Sequence, residues 1–564
     1  MTGVAEPRPG ASRGDYALAL ALVLLALALS SLAYRRAENR PPPGHVAAGV
    51  LADDHHVHIG AIYGSFAREA AEGGGVYMHN HQTGVRHRAA LARPWEWFLG
   101  RVGAAAGLSA RGLFHLERVI AVVAFGAALA FFLGEVLRRP AVRRLALAAA
   151  FSGGGLLWIA ELLGREHALS AAMRGWLDTW HPGLSGLGFA YPALLLGAPH
   201  LALEVVFVAA ALGAQLRAAR LRSPAWGLGA GLATLLLAWI RPYTVPVVLL
   251  AAAVTLGPAV LARGPGASRR GRAVALLTLA LATAPVLPHL RHLYRVLNWN
   301  TVFRGLDVVH PSPPVHEQLL YFGLAAAAAP ALLLPAVRRR RRAAGLAAAV
   351  PRRQLATWAL AGFALANAAP LILWEVEALL PLPLLVLVLA ALAAEALPER
   401  LRLPVGLAFV VLNAIPTVFY AVEVAARLES PHNAYWLSAD EDEALRYMEA
   451  QRPPDSLPRD QPPLVLACDP EVARLAPWLA GVRVYLGHPD HTPRPGEKKV
   501  RLESYYRYGS GLVQLREAGV SHLVFGPREA RYRAASSSYD PAGDGRLRLV
   551  FEHGQVRIFS VLPP

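Results

Sequence analysis

A chain of 564 residues that is 55% hydrophobic and only 17% charged excludes an ordinary soluble enzyme, in which about a quarter of residues are charged. A net charge of +17, a pI near 10.4 and a mean hydropathy of +0.35 leave two classes, nucleic-acid binder or membrane protein. The arginines sit in short clusters between apolar blocks of about twenty residues, the length that crosses a bilayer. The chain therefore reads as a polytopic α-helical membrane protein, its charge topological, with no nucleic-acid partner. The single cysteine, Cys468, excludes an internal disulfide.

In chain order, eleven spans are expected, at about 16–34, 113–137, 145–163, 199–216, 225–241, 244–262, 273–290, 318–336, 355–373, 379–397 and 404–425. With the N-terminus in the cytoplasm, one side receives every basic cluster: Arg138, Arg139, Arg143 and Arg144; Arg217, Arg220 and Arg222; Arg263, Arg269, Arg270 and Arg272; Arg338–Arg342 with Arg352 and Arg353. Short basic loops mark the cytoplasmic face, so the expected location is a multi-pass inner (plasma) membrane protein with its tail outside. The first span ends in Ser31-Leu32-Ala33, which resembles a signal-peptidase site, but its apolar core of about nineteen residues favours an uncleaved anchor. Segment 183–198 is apolar, short and broken by Pro192, and is expected to re-enter or lie on the surface.

This threading leaves a bundle over 1–427 with outer loops 35–112, 164–198 and 291–317, and a soluble outer domain over 428–564. Prolines at 453, 454, 458, 462 and 463 mark a loop early in the tail. Strands are expected at Leu464–Ala467, Val482–Leu486, His522–Phe525, Leu547–Phe551 and Val556–Val561, and helices at Glu441–Gln451, Glu471–Leu479 and Gly511–Ala518. Their alternation implies a small α/β domain with a largely parallel sheet. Gly509-Ser510-Gly511 lacks the third glycine and the helix-opening context of a dinucleotide site.

The chemistry-bearing residues concentrate in the outer loops. Asp53-Asp54 opens a helical stretch, Ile59–Ala71, and is followed by His55, His56 and His58, then by a second group, His79, Asn80, His81 and His87. Aspartate near an apolar surface is a ready general base, and it also caps helices. His56, His58, His181 and His200 are candidate substrate contacts, with core packing the other reading for His200. Seven histidines between 45 and 87 invite a divalent metal, but the groups lie over twenty residues apart and thiols are absent, so the metal stays undecided. Arg241, at the outer end of the fifth span, and Arg291, Arg295 and Arg304, in the loop that reaches Pro311-Ser312-Pro313-Pro314, are candidate phosphate ligands. Snorkelling and contacts with lipid headgroups are the other reading for these cations. Trp176, Asp178, Trp180 and His181 mix aromatic and polar groups as sugar-binding surfaces do, and as interfacial belts do.

The acidic motif after one N-terminal span, the stretch Pro94-Trp95-Glu96-Trp97-Phe98-Leu99-Gly100, and Ala106-Gly107-Leu108-Ser109 before the second span resemble the GT-C superfamily of membrane glycosyltransferases. Arg483-Val484-Tyr485-Leu486-Gly487 and Val520-Ser521-His522-Leu523-Val524-Phe525-Gly526 are similar to tails of bacterial members. The resemblance implies transfer of a sugar from a polyprenyl-phosphate carrier to an acceptor outside the cytoplasm, with inversion. Asp53 or Asp54 would be the base, and arginines such as Arg241 would hold the departing phosphate. His55-His56-Val57-His58 departs from the tyrosine-containing sequence expected after the acid, which leaves acceptor and metal dependence open. The readings from other classes are a lipid transporter or flippase, with Glu117 and Glu161 as buried charges, and a non-catalytic envelope-assembly protein that docks through its tail.

Overall fold

The computed structural model describes residues 10–49, 54–84, 89, 91–153, 195, 197–261, 269–292, 325, 328–343, 354–358, 360–361, 382–428, 435–452, 464–488, 491–532 and 539–563. In chain order these form α1 (Arg13–Asn39), β1 (His45–Ala47), α2 (Asp54–Ala71), β2 (Tyr77–Met78), β3 (Leu91–Ala92), α3 (Pro94–Ala105), α4 (Ala110–Val136) and α5 (Pro140–Ser152). Then come α6 (Pro199–Leu221), α7 (Pro224–Ile240), α8 (Val245–Leu261), α9 (Arg269–Thr283, continuing through a 3-10 turn to His292), α10 (Pro335–Ala343), α11 (Leu382–Ala394) and α12 (Glu399–Leu428). The tail adds β4 (Trp436–Ser438), α13 (Ala439–Ala450), β5 (Val465–Ala467), α14 (Pro470–Leu479), β6 (Arg483–Val484), α15 (Pro495–Tyr508), α16 (Leu512–Glu517), β7 (His522–Phe525), α17 (Pro527–Ala530), β8 (Leu547–His553) and β9 (Val556–Val561). Among the described residues, α1, α4, α6 and the helix Arg269–His292 are long and apolar enough to cross a membrane, and α7, α8 and α11 are shorter apolar helices. Much of the spans expected at 145–163, 318–336 and 355–373, and nearly all of loops 164–198 and 291–317, lie outside the described residues.

The chain divides into two compact units. One comprises 1–32, 118–291 and 309–424; the other joins 33–117 and 292–308 to 425–564. Segment 33–117 thus belongs to the same unit as the tail, whereas the sequence reading grouped the loop 35–112 with the bundle.

In the bundle unit, proline occupies the first position of α5, α6 and α7, where its missing N–H is harmless and its fixed φ suits a helix. Gly227 and Gly231 of α7 lie against the backbone at Thr278 and Leu281 of α9; a Cβ on either would collide with a carbonyl oxygen there. Small residues four apart allow this close crossing where lipid offers no hydrophobic drive to pack helices. The pairing of 227 with 278 and 231 with 281 sets α7 and α9 parallel. Glu135 pairs with Arg220 at 2.9 Å and with Arg217 at 3.7 Å, and Asp15 with Arg143 at 2.9 Å and Arg144 at 3.4 Å. Glu395 holds Arg341 at 3.1 Å and accepts from the backbone N–H groups of Arg138 and Arg139. These pairs gather the start of α1, the end of α4, the start of α5 and the ends of α6, α10 and α11 at one basic end.

In the second unit the tail sheet runs β6-β5-β7-β9-β8. β5 is parallel to both β6 and β7, but β9 and β8 join antiparallel, so the sheet is mixed rather than largely parallel. Strands β8 and β9 form a hairpin, which needs no crossover helix and therefore reverses direction. Helix α15, which the sequence reading missed, supplies Leu502, Tyr505 and Tyr506 to a core shared with Tyr485, Phe525 and Phe559. The hydroxyl of Tyr506 lies 2.7 Å from the Val524 carbonyl and 3.0 Å from that of Ala467, bridging the ends of the parallel strands.

Beside it, buried Glu529 accepts the N–H groups of Asp469 at 2.7 Å and Gly526 at 2.9 Å. Burial pushes its carboxyl up to about 7, against those hydrogen bonds, with Asp469 and Glu441 adding to the rise. A carboxyl raised from 4.5 favours the protonated folded state, so its contribution is complete below pH 4.5 and lost as pH climbs through about 7. Thermal unfolding of the full chain should show Glu529→Gln gaining about 3 kcal/mol on the wild type between pH 4.5 and 8; parallel profiles would contradict this assignment.

Candidate functional site

Helix α2 carries the acidic motif. Asp53 lies outside the described residues, and Asp54 is the first residue of the helix, where the positive end of the helix dipole favours a carboxylate. His55, His56 and His58 occupy the first turns behind it. The far half of α2 is fixed on three sides. Ile62, Tyr63, Phe66 and Ala70 pack with Met78 and Trp97, and the Arg93 guanidinium covers the rings of Tyr63 and Phe66 at 5.3 and 5.2 Å. Gly64 admits the indole of Trp478 from α14; a Cβ there would lie 2.5 Å from the ring. Trp478 in turn donates its N–H to the carbonyl of Ala110, where α4 begins.

Arg68 makes the charged part of this attachment. It is buried, pairs with Glu72 at 2.8 Å and with Glu449 of α13, and donates to the carbonyls of Trp478 and Leu479. Arg452 closes the group with two bonds to Glu72, at 2.7 and 2.6 Å. Beyond α2, residues 80–83 run along the tail sheet. The Val484 N–H donates to the His81 carbonyl, Asn80 to the His491 carbonyl, and Gln82 accepts from the His488 N–H. Thr83 bridges Leu486, and the Lys498 ammonium reaches the Thr83 hydroxyl at 3.1 Å. The edge of β6 is thereby covered by the loop.

Between these attachments lies a group that sequence reading half saw. Glu69, buried on α2, takes His79 Nδ1 on one oxygen and His81 Nε2 on the other, both at 2.8 Å, and also accepts the His79 N–H at 3.0 Å. Burial alone would raise its carboxyl, but the two imidazoles hold it well below the usual range. The His-x-His alternation was a legible sign that both rings share one face; Glu69, in an apolar helical run, carried no such sign. With both oxygens engaged, the carboxylate fastens loop to helix. Among the described residues, no three His, Cys, Asp or Glu side chains are arranged to hold a metal ion. Glu96, in the first turn of α3, is another buried acid missed as such; burial pushes it up against the pull of Arg93.

Of the candidate cations, Arg241 and Arg291 belong to the bundle unit. Arg241 is 7% exposed and caps the C-terminus of α7, its N–H bonded to the Leu237 carbonyl, before a 3-10 turn leads into α8. Since α7 spans 17 residues, this end lies about 25 Å from the basic end. Arg291 is exposed two residues beyond His289, whose ring lies 3.1 Å from the Ala238 carbonyl of α7. His200 is buried in the first turn of α6, one turn before buried Glu204, at the same end. Arg241, Arg291 and His200 are therefore gathered at one end of the bundle. Arg295, Arg304 and His181 lie outside the described residues.

A folded Glu69 carboxyl held below 4.5 lends stability that is present above pH 4.5 and lost as pH falls below it. Glu69→Gln should cost about 1–3 kcal/mol at pH 7 and progressively less below pH 4.5. Unfolding midpoints of both proteins across that range would test it, and a pH-independent difference would remove the ionic role.

No protein family and no curated protein matches the sequence. Solved structures do match the fold. The archaeal oligosaccharyltransferase AglB from Archaeoglobus fulgidus, in complex with an inhibitory peptide and a dolichol-phosphate, aligns over 91% of this chain and 70% of its own, at 15% identity and TM-score 0.53. The Archaeoglobus fulgidus oligosaccharyltransferase tethered to an acceptor peptide aligns over 90% and 69%, at 15% identity and TM-score 0.51. The arabinofuranosyltransferase AftD from Mycobacteria aligns over 96% of this chain but 40% of its own, at 16% identity and TM-score 0.53. The chain has the fold of the GT-C membrane glycosyltransferases.

Proposed function

We propose that this protein is an inverting membrane glycosyltransferase that moves a sugar from a polyprenyl-phosphate carrier to an acceptor outside the cytoplasm. The observation that carries the reading is the GT-C fold together with Asp54 at the head of a helix braced on the tail. In this reading Asp53 or Asp54 takes the proton of an acceptor hydroxyl. The oxygen attacks the anomeric carbon, the bond from that carbon to the phosphate oxygen breaks, and polyprenyl phosphate leaves with the bonding pair. Arg241 and Arg291, with Arg295 and Arg304, meet the charge that develops on the phosphate, a task suited to a planar guanidinium. His56, His58, His181 and His200 are assigned to sugar or acceptor hydroxyls.

The proposed threading has eleven spans, a cytoplasmic N-terminus and an outer tail. The ion-paired basic end of the bundle supports it, because short arginine clusters mark the cytoplasmic face. Arg241 then lies at the outer end, in the compartment given to the aspartates. A reporter fused after Glu429 should be active only outside the cytoplasm.

Asp53→Asn and Asp54→Asn, assayed separately in purified membranes with a polyprenyl-phosphate sugar, should include one variant whose transfer rate falls about 10²–10⁴-fold with its folding intact. Full activity in both would end the acid–base reading. Arg241→Gln should lower the rate about 10²–10³-fold, seen in the same assay; an unchanged rate would remove that arginine from phosphate binding.

A further inference from the structure

Within the unit formed by the first outer loop and the tail lies a cavity of about 530 Å³ that the glycosyl-transfer reading does not use. Its walls are the end of α2, one face of α13 and the turn between α3 and α4. On α13, Asp442, Arg446 and Glu449 are spaced by four and three residues, which places them on one side of the helix. Arg446 and Arg111 converge on the same carboxylate, Asp442, at 2.7 and 3.2 Å. One carboxylate cannot neutralise two guanidiniums, and the second acid near Arg446, Glu443 at 3.7 Å, does not line the cavity. Both arginine side chains keep water contact, Arg446 at 64% and Arg111 at 37% exposure, so these pairs are weak and open to a stronger anion.

One helical turn further on, Glu449 remains 48% exposed, and its partner Arg68 is shared with Glu72 and two backbone carbonyls. Cationic and anionic positions therefore follow one another along α13 at about 4.5 Å. In total the lining holds three arginines and three carboxylates. A bare phosphate would leave such a site unbalanced, whereas a molecule carrying a phosphate and an ammonium two carbons apart would not. The floor of the cavity is the turn that leads into α4, an apolar helix of 27 residues, and Leu108, Phe98 and Val102 expose apolar surface beside it. A headgroup at the surface of a bilayer crossed by α4 would lie at this mouth.

We propose that the cavity between α2, α13 and the α3–α4 turn binds ethanolamine phosphate, with Arg111 and Arg446 on the phosphate and Glu449 on the ammonium. A phospholipid headgroup and the free phosphoester share this chemistry. The test follows the unfolding midpoint of the purified full chain in detergent while adding dihexanoyl-phosphatidylethanolamine, O-phosphoethanolamine, dihexanoyl-phosphatidylglycerol or inorganic phosphate. A saturable rise with the two ethanolamine compounds is expected, half-complete at a concentration at least tenfold lower than for the other two. A lipid source is supported if the lipid acts at lower concentration than the free phosphoester, and a soluble source if the two act alike. Arg446→Gln should raise the half-saturating concentration about tenfold. Ala104→Trp, which fills the mouth from an exposed position and removes no charge, should raise it as much. No saturable rise, an equal response to phosphatidylglycerol, or a wild-type response in Ala104→Trp would overturn the proposal. No sugar donor enters the test, so its outcome is independent of glycosyl transfer.

Discussion

The attachment of Arg68 governs the second unit. A guanidinium removed from water must be satisfied on nearly every N–H, and here two carboxylates and two backbone carbonyls do so. Because the carbonyls belong to the end of α14 and one carboxylate to α13, the geometry that satisfies the charge also fixes the direction of α2. The head of that helix, where Asp54 stands, is about 20 Å away along a rigid rod. The place of the helix head thus follows from packing distant from it.

The bundle meets charge differently. Its arginines looked like topological signals in the sequence, and the structure finds several of them paired with Asp15, Glu135 and Glu395, Arg143 and Arg341 among them buried. Acids placed at those helix ends both neutralise the clusters and bind the helix ends together. At the opposite end, Arg241 is buried at the C-terminus of α7.

The parts of the fold that were legible depended on local periodicity. The limits of α6, α7, β7 and β9 agree with the sequence reading to within a few residues, because apolar blocks and alternation state them directly. Helix α15 was not legible, since Lys498, Lys499, Arg501 and Glu503 hide the three residues it buries. The antiparallel half of the sheet was not legible either, because strand direction is set by connection geometry that composition does not encode. At the candidate site, the residue types were readable but the partners were not. His79 and His81 announced themselves, whereas Glu69 and Arg68 acquire their roles from contacts across as many as 411 positions of sequence.

That separation has a consequence for how the molecule is made. Arg68 and Glu449 are 381 residues apart, and synthesis at 5–20 residues per second delivers the second roughly 20–80 s after the first. Throughout that interval the loop lacks Glu449 and Arg452, the ion partners the tail supplies, and the sheet edge it covers, and a tail made without the loop would present β6 as a bare strand able to recruit foreign chains. Assembly of this unit is thus a late closure between segments delivered far apart in time, and a chaperone would have its opportunity in that window.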